Sequence, residues 1–158
     1  VLRRHYVSIL ASAALALAVW LLVLWQPVRQ VRRHTERLLA AVEGKDWKRF
    51  AEFMADDYSD QWGHDKTAVV ERSREVFAQF FLIETGAHDL AVEESDGIGT
   101  AHAHLVLRGS GGPLAQIAIE RVAALREPFV FLWRQRSWKP WDWALTRVEQ
   151  PELALGEY

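Results

Sequence analysis

Cysteine is absent from the chain. Its absence excludes disulfides, thiolate nucleophiles and cysteine-ligated zinc, and it fits a reducing or an oxidising compartment equally well. There is no surplus of positive charge either: 19 Lys plus Arg stand against 21 Asp plus Glu, for a net charge of −2. A chain so balanced has little with which to neutralise a phosphate backbone, and nucleic acid is excluded as a partner. Internal repeats, HExxH pairs, nucleophile elbows and P-loops are missing too. Gly109-Ser110-Gly111-Gly112 lacks the strand-to-helix setting of a phosphate loop and reads as a hairpin turn. Nothing calls for a cofactor.

What is present is the composition of one folded domain: 158 residues, 50% apolar and 25% charged. Eight Trp are many for this length, and four of them crowd into residues 133–143. Aromatic area of that kind lines a pocket, forms an interface or fills a small core.

Residues 6–25 carry no charge. Twenty helical residues span roughly 30 Å, the thickness of a bilayer core. Tyr6 and Trp25 stand at the two ends, with Arg3, Arg4 and Arg29 flanking. A cleaved signal peptide is the competing reading. The small triplet Ala14-Leu15-Ala16 lies inside the apolar run, however, and the far end offers no small-residue site. The expectation is therefore a single-pass anchor over residues 1–27, a domain over 28–150 and a tail over 151–158. A count of Arg on each side of the span places the domain in the cytoplasm, whereas a short basic tail ahead of an N-terminal apolar run is the usual export arrangement. The exported side is the one adopted.

The spacing predicts three helices next. Val28, Val31, Leu38 and Val42 form an apolar stripe, ended by Gly44. Asp46 caps a second helix with Trp47, Phe50, Phe53 and Met54 inside, which stops at Asp56-Asp57. The third runs from about Asp65 to Phe80. The period then changes to two. Residues 82–92 and 100–108 read as strands, followed by a turn over residues 110–113 and another strand over 114–125. Phe129, Phe131 and Trp133 continue the apolar face, and a last strand runs through Val148. The fold class expected is α+β, an N-terminal transmembrane helix followed by three helices packed on a curved antiparallel sheet.

The helix with its acidic-aromatic exit, FAEFMADDYSD (50–60), the helix HDKTAVVERSREVFAQFF (64–81) and the closing hairpin FVFLWRQRSWKPWDWALTRVE (129–149) together resemble the nuclear transport factor 2-like superfamily. That superfamily includes the SnoaL-like and ketosteroid-isomerase-like proteins of cystatin-like fold. The likeness covers about residues 34–150 and is one of pattern. It implies a cone with a pocket between helices and concave sheet, and homodimers formed through the sheet. It implies no particular reaction, because the fold hosts isomerases, dehydratases, cyclases and inert assembly modules. No Asp–Tyr–Asp set can be matched position by position, so no catalytic residue is carried over.

Asp57, Tyr58, Trp62 and His64 are the pocket candidates at the mouth of the cone. Asp57 or His64 would act as base and Tyr58 as donor to a developing enolate. The plainer alternative, a solvated helix end with Tyr58 plugging the core, is preferred. His102 and His104 share a strand face, and Glu120 falls opposite His102 if residues 110–113 form a hairpin. Those three are candidate metal ligands in principle, though a solvated or dimer-contact face, with Arg134 pairing to Glu120, is preferred. Arg121 and Arg147 fall on the apolar side of their strands. Near Trp133 and Trp143, Arg121 would meet an anionic or aromatic ligand; otherwise it reaches water at the sheet edge or pairs with an acid such as Asp57. The functional expectation is a tethered module binding a small apolar or aromatic ligand or a membrane protein partner, with a cone enzyme of isomerase, dehydratase or cyclase type as rival.

Overall fold

A computed structural model describes residues 12–21 and 25–153. Helix α1 (Pro27–Glu43) begins with proline in its first turn, where the missing N–H costs nothing. Its inner stripe is Val31, Leu38, Ala41 and Val42, filled out by Gln30, His34 and Thr35. Asp46 caps α2 (Trp47–Phe53) by accepting from Arg49 N at 3.0 Å, and Asp65 caps α3 (Lys66–Phe77) by accepting from Ala68 N at 2.8 Å. Trp47 stacks on Phe77, and Phe77 meets Phe80 at a tilt, with ring centroids 6.0 and 5.6 Å apart; the three join these helices to the sheet.

The sheet is a four-stranded antiparallel meander, β1 (Phe80–Ser95), β2 (Ile98–Gly111), β3 (Phe129–Gln135) and β4 (Trp143–Glu149), in that spatial order. Asp96 and Gly97 form the two-residue turn of the first hairpin, with φ of 53° and 76°. Gly at the second position suits that left-handed turn. A bulge at Asp89-Leu90 bends β1, and Arg32 of α1 donates to Leu90 O there at 2.7 Å. The outer edge of β4 is covered as well. Ala55, Ser59 and Gln61 donate backbone N–H groups to Leu145, Thr146 and Val148.

Residues 114–125 are not a strand. They form helix α4 (Pro113–Ala124), inserted between β2 and β3. Ile117 and Ile119 alternate, but Ala115, Ala118, Ile119 and Val122 are the residues turned inward, a helical spacing. Gly112 and Pro113 are the N-cap and first turn of that helix rather than a hairpin turn, so the 109–112 run does lie between a strand and a helix. The consequences are local. Glu120 and Arg121 are exposed on α4, and Arg134 lies opposite Ile98 and Ala144. β3 pairs only with the first half of β2, at Ile98 to Ala103, which leaves the second half for α4 to cover.

Residues 12–21 are helical. Among the described residues no helix is long and apolar enough to cross a membrane; the remainder of the expected 6–25 span falls at 6–11 and 22–24, outside them.

Two core positions carry predictions. Gly99 of β2 is buried against Val31 of α1, and a methyl group added there would drive into the Val31 side chain. Gly99→Ala is therefore expected to cost about 1–3 kcal/mol through overpacking. Thermal melts of Gly99→Ala, Val31→Ala and the double variant check this. The double variant should be more stable than the sum of the single losses allows.

His34 is buried in α1, donates from Nδ1 to Gln30 O at 2.8 Å, and meets the ring of Trp133 edge-on at 5.7 Å. Burial holds its pKa below the usual 6.5; the Gln30 and Trp141 carbonyls pull it back up and the Arg37 and Arg136 charges push it further down. The unfolded chain thus binds this proton more readily than the folded one. Stability is full above about pH 6.5 and falls as pH drops below that value towards the depressed folded pKa. Denaturant titrations from pH 7.5 to 5 should show this slope, and His34→Asn, which keeps an N–H donor near Nδ1 without titrating, should flatten it.

Candidate functional site

The concave face of the sheet and the four helices enclose a cavity of about 250 Å³. Leu38 and Val42 of α1, Phe50 of α2 and Phe77 of α3 form its helical wall. Leu105 and Leu107 of β2 form its floor, Phe131 and Leu145 continue it on β3 and β4, and Val122 of α4 closes one end. An apolar cavity of about 150 Å³ stays dry and takes up benzene. The space here is larger, enough for one ring with substituents.

Polar groups reach it chiefly from the segment after α2. Tyr58 is buried and lines the cavity; its hydroxyl has no hydrogen bond among the described residues but is not closed off, the fully buried polar atom without a partner among them being Trp133 Nε1. Desolvation first, and then the nearby Asp60 carboxylate, push its phenol well above the ordinary value of 10, with Arg147 opposing. The hydroxyl is therefore protonated at any physiological pH and is a donor without an acceptor.

Asp60 also lines the cavity and is buried, with its carboxylate fully engaged. Oδ1 accepts from Trp62 N at 2.9 Å and from His64 N at 2.8 Å, and Oδ2 accepts from His64 Nδ1 at 3.0 Å. These three bonds fold residues 60–64 into a tight turn around one side chain. Trp62, a further lining residue, donates from its indole to Leu153 O at 2.7 Å.

The residues singled out in the sequence separate accordingly. Tyr58 and Trp62 line the cavity, and His64 stands behind Asp60. Asp57 points away to solvent, where its two oxygens take Arg134 Nη2 at 2.7 and 3.0 Å, and that guanidinium lowers the carboxyl's pKa. Arg121 is exposed on α4, whereas Trp133 and Trp143 are fully buried. Those two indoles are core: Trp133 packs on His34 and Phe53, and Trp143 donates to Pro140 O at 2.8 Å. Arg147 pairs with Glu149 on its own strand. His102 lies opposite Ala91 and Val130, and His104 opposite His88 and within 3.0 Å of Arg126 O. With Glu120 on α4, the candidate metal set does not assemble, and no group of three such ligands occurs among the described residues. Asp60 is what sequence reasoning passed over. The pattern Asp60-x-Trp62-Gly63-His64, an acid ahead of a glycine turn, is the signal that would have found it.

No family model matches the chain, and no curated protein matches it. Solved structures do. A Pseudomonas putida protein of unknown function, described as nuclear transport factor 2-like, superposes with a TM-score of 0.55 at 15% identity, over 77% of this chain and 82% of its own. A Nostoc punctiforme protein of unknown function with a cystatin-like fold gives 0.55 at 12% identity, over 80% and 92%. Bd1075 of Bdellovibrio bacteriovorus gives 0.59 at 8% identity over 81% of this chain, which spans only 41% of that protein. At these identities the likeness is one of fold: an α+β cone with a four-stranded antiparallel sheet.

Proposed function

We propose that the chain is a membrane-tethered binding module whose cone receives a small apolar molecule bearing one hydrogen-bond acceptor. The observation that carries this reading is the Tyr58 hydroxyl, a donor with no partner among the described residues, on the wall of a largely apolar cavity. Pockets of this kind take most of their affinity from apolar contact and their orientation from one or two placed polar groups. Tethering is supported by the charge-free run over residues 6–25, of which residues 12–21 are helical. Calorimetry with a probe such as acetophenone tests the reading. Binding by the parent and a roughly tenfold loss in Tyr58→Phe, the worth of one hydrogen bond, supports it; equal affinity for both removes Tyr58 from the site.

A second reading, an acid–base enzyme, is favoured by one feature: Tyr58 and Asp60, which holds His64, line the same cavity. In such an enzyme the tyrosine would polarise a carbonyl while a base took the α-proton. The two readings separate on hydrogen exchange at the methyl group of acetophenone in D₂O. A binding module leaves that rate unchanged. Acceleration that disappears in Tyr58→Phe would favour the enzyme.

A further inference from the structure

The eight tryptophans divide evenly. Trp47, Trp62, Trp133 and Trp143 belong to the fold, whereas Trp20, Trp25, Trp138 and Trp141 are 58%, 42%, 85% and 51% exposed. The last two lie in the turn joining β3 to β4, and Trp141 places its ring 6.3 Å from that of Trp25. Trp25 ends the apolar stretch over residues 6–25, its N–H still bonded helically to Leu21 O at 3.0 Å. Two separate pieces of chain therefore present indoles at one level.

The turn is not loose. Arg136 N donates to Asp142 O at 2.8 Å, Arg136 Nε and Ser137 Oγ bond the Asp142 carboxylate at 2.9 and 2.6 Å, and Asp142 N donates to Lys139 O at 3.1 Å. Its polar groups are tied to one another while its largest apolar side chain, Trp138, faces outward. A turn tip built only for water has no use for an indole held in this way. Lys139 and Arg29 are exposed, the first following Trp138 in the turn and the second four residues after Trp25, and neither forms a salt bridge among the described residues, although the Lys139 charge acts on the Asp142 carboxylate. Exposed indoles with exposed cations near them in sequence match the interfacial layer of a bilayer, where the rings sit among headgroups and the cations meet lipid phosphate.

We infer that the β3–β4 turn, with Trp138, Lys139 and Trp141, docks into the headgroup region of an anionic bilayer beside Trp25. This rests on the tethered reading above: if residues 6–25 span the membrane, Trp25 marks the interface and Trp141 lies at the same depth. The domain is then held in one orientation rather than swinging on its anchor. The cavity floor at Leu105 and Leu107 lies roughly 25 Å along β2 from the docked end, at 3.3 Å per residue.

The test uses the full chain in vesicles of phosphatidylcholine with phosphatidylglycerol as the minority component. The chain has no native cysteine, so a nitroxide on Lys139→Cys or Leu114→Cys reports from one place. Relative collision with oxygen and with a water-soluble nickel complex should be lipid-like at 139 and aqueous at 114, beyond the far end of β2. Adding Trp138→Ser and Trp141→Ser should return 139 to the aqueous value. A chain that floats with the vesicles but is aqueous at both positions overturns the docking and leaves the tether standing. A chain that does not float with them removes the tether, and the docking with it.

Discussion

Asp60→Ala should be the most damaging single change in the site, lowering stability by about 3–5 kcal/mol, as expected when one partner of a buried charged cluster is deleted. The carboxylate is 1% exposed and takes three N–H donors, two of them backbone groups. Removing it leaves the Trp62 and His64 amides without their partner in a half-buried turn, and each such loss costs up to about 1–3 kcal/mol. For a chain of this size that corresponds to a fall in melting temperature of roughly 10 °C. Asp60→Asn keeps one acceptor oxygen and should fall between parent and alanine. Asp57→Ala, three positions earlier, is the control: its carboxylate is 63% exposed and its pairing with Arg134 is screened by water, so the melt should hardly move. Equal shifts for the two variants would mean that residues 60–64 are not organised around Asp60.

Val122→Phe should abolish ligand uptake, with a loss of affinity greater than tenfold, while leaving the fold as stable as before. Val122 sits on α4, the helix that closes one end of the cavity, and is only half-buried, so a larger ring can enter empty space rather than a filled core. Overpacking costs arise where no space exists, and here about 250 Å³ is open. Calorimetry and a thermal melt on the same sample separate the outcomes. Lost binding with an unchanged or raised melting temperature places the ligand under α4. Retained binding with a lowered melting temperature would mean that Val122 packs against protein and the ligand lies elsewhere.

Much of this architecture was legible in the sequence because burial imposes a period. The stripe of α1, the acid caps at Asp46 and Asp65, and the alternation of Phe129, Phe131 and Trp133 all recur in the structure as elements with those residues inward. Helix α4 was misread because its apolar residues satisfy both periods. Ile117 and Ile119 fit a strand, while Ala115, Ala118 and Val122 fit a helix, and only Pro113 at the start argues for the latter. The Asp96-Gly97 turn was an available signal for the tight hairpin that fixes β1 on β2. The site was harder to see. Asp56, Asp57 and Asp60 are chemically alike, and which one turns inward is decided by backbone donors that composition does not reveal. His34 and Thr35 hid within α1 for a related reason: each satisfies its polar atom on the carbonyl one turn back and so fills an apolar stripe.

The central claim is that the cone is an open, apolar receptacle with Tyr58 as its donor. It is tested most directly by titrating isotope-labelled protein with acetophenone and following every backbone amide by NMR. Saturable shifts confined to residues around the cavity, such as Val42, Tyr58, Leu105 and Val122, with the Asp96-Gly97 turn unmoved, are the predicted result. An absence of shifts up to the solubility of the ketone, or shifts scattered over the exposed Phe81 and Leu114 instead, would contradict it.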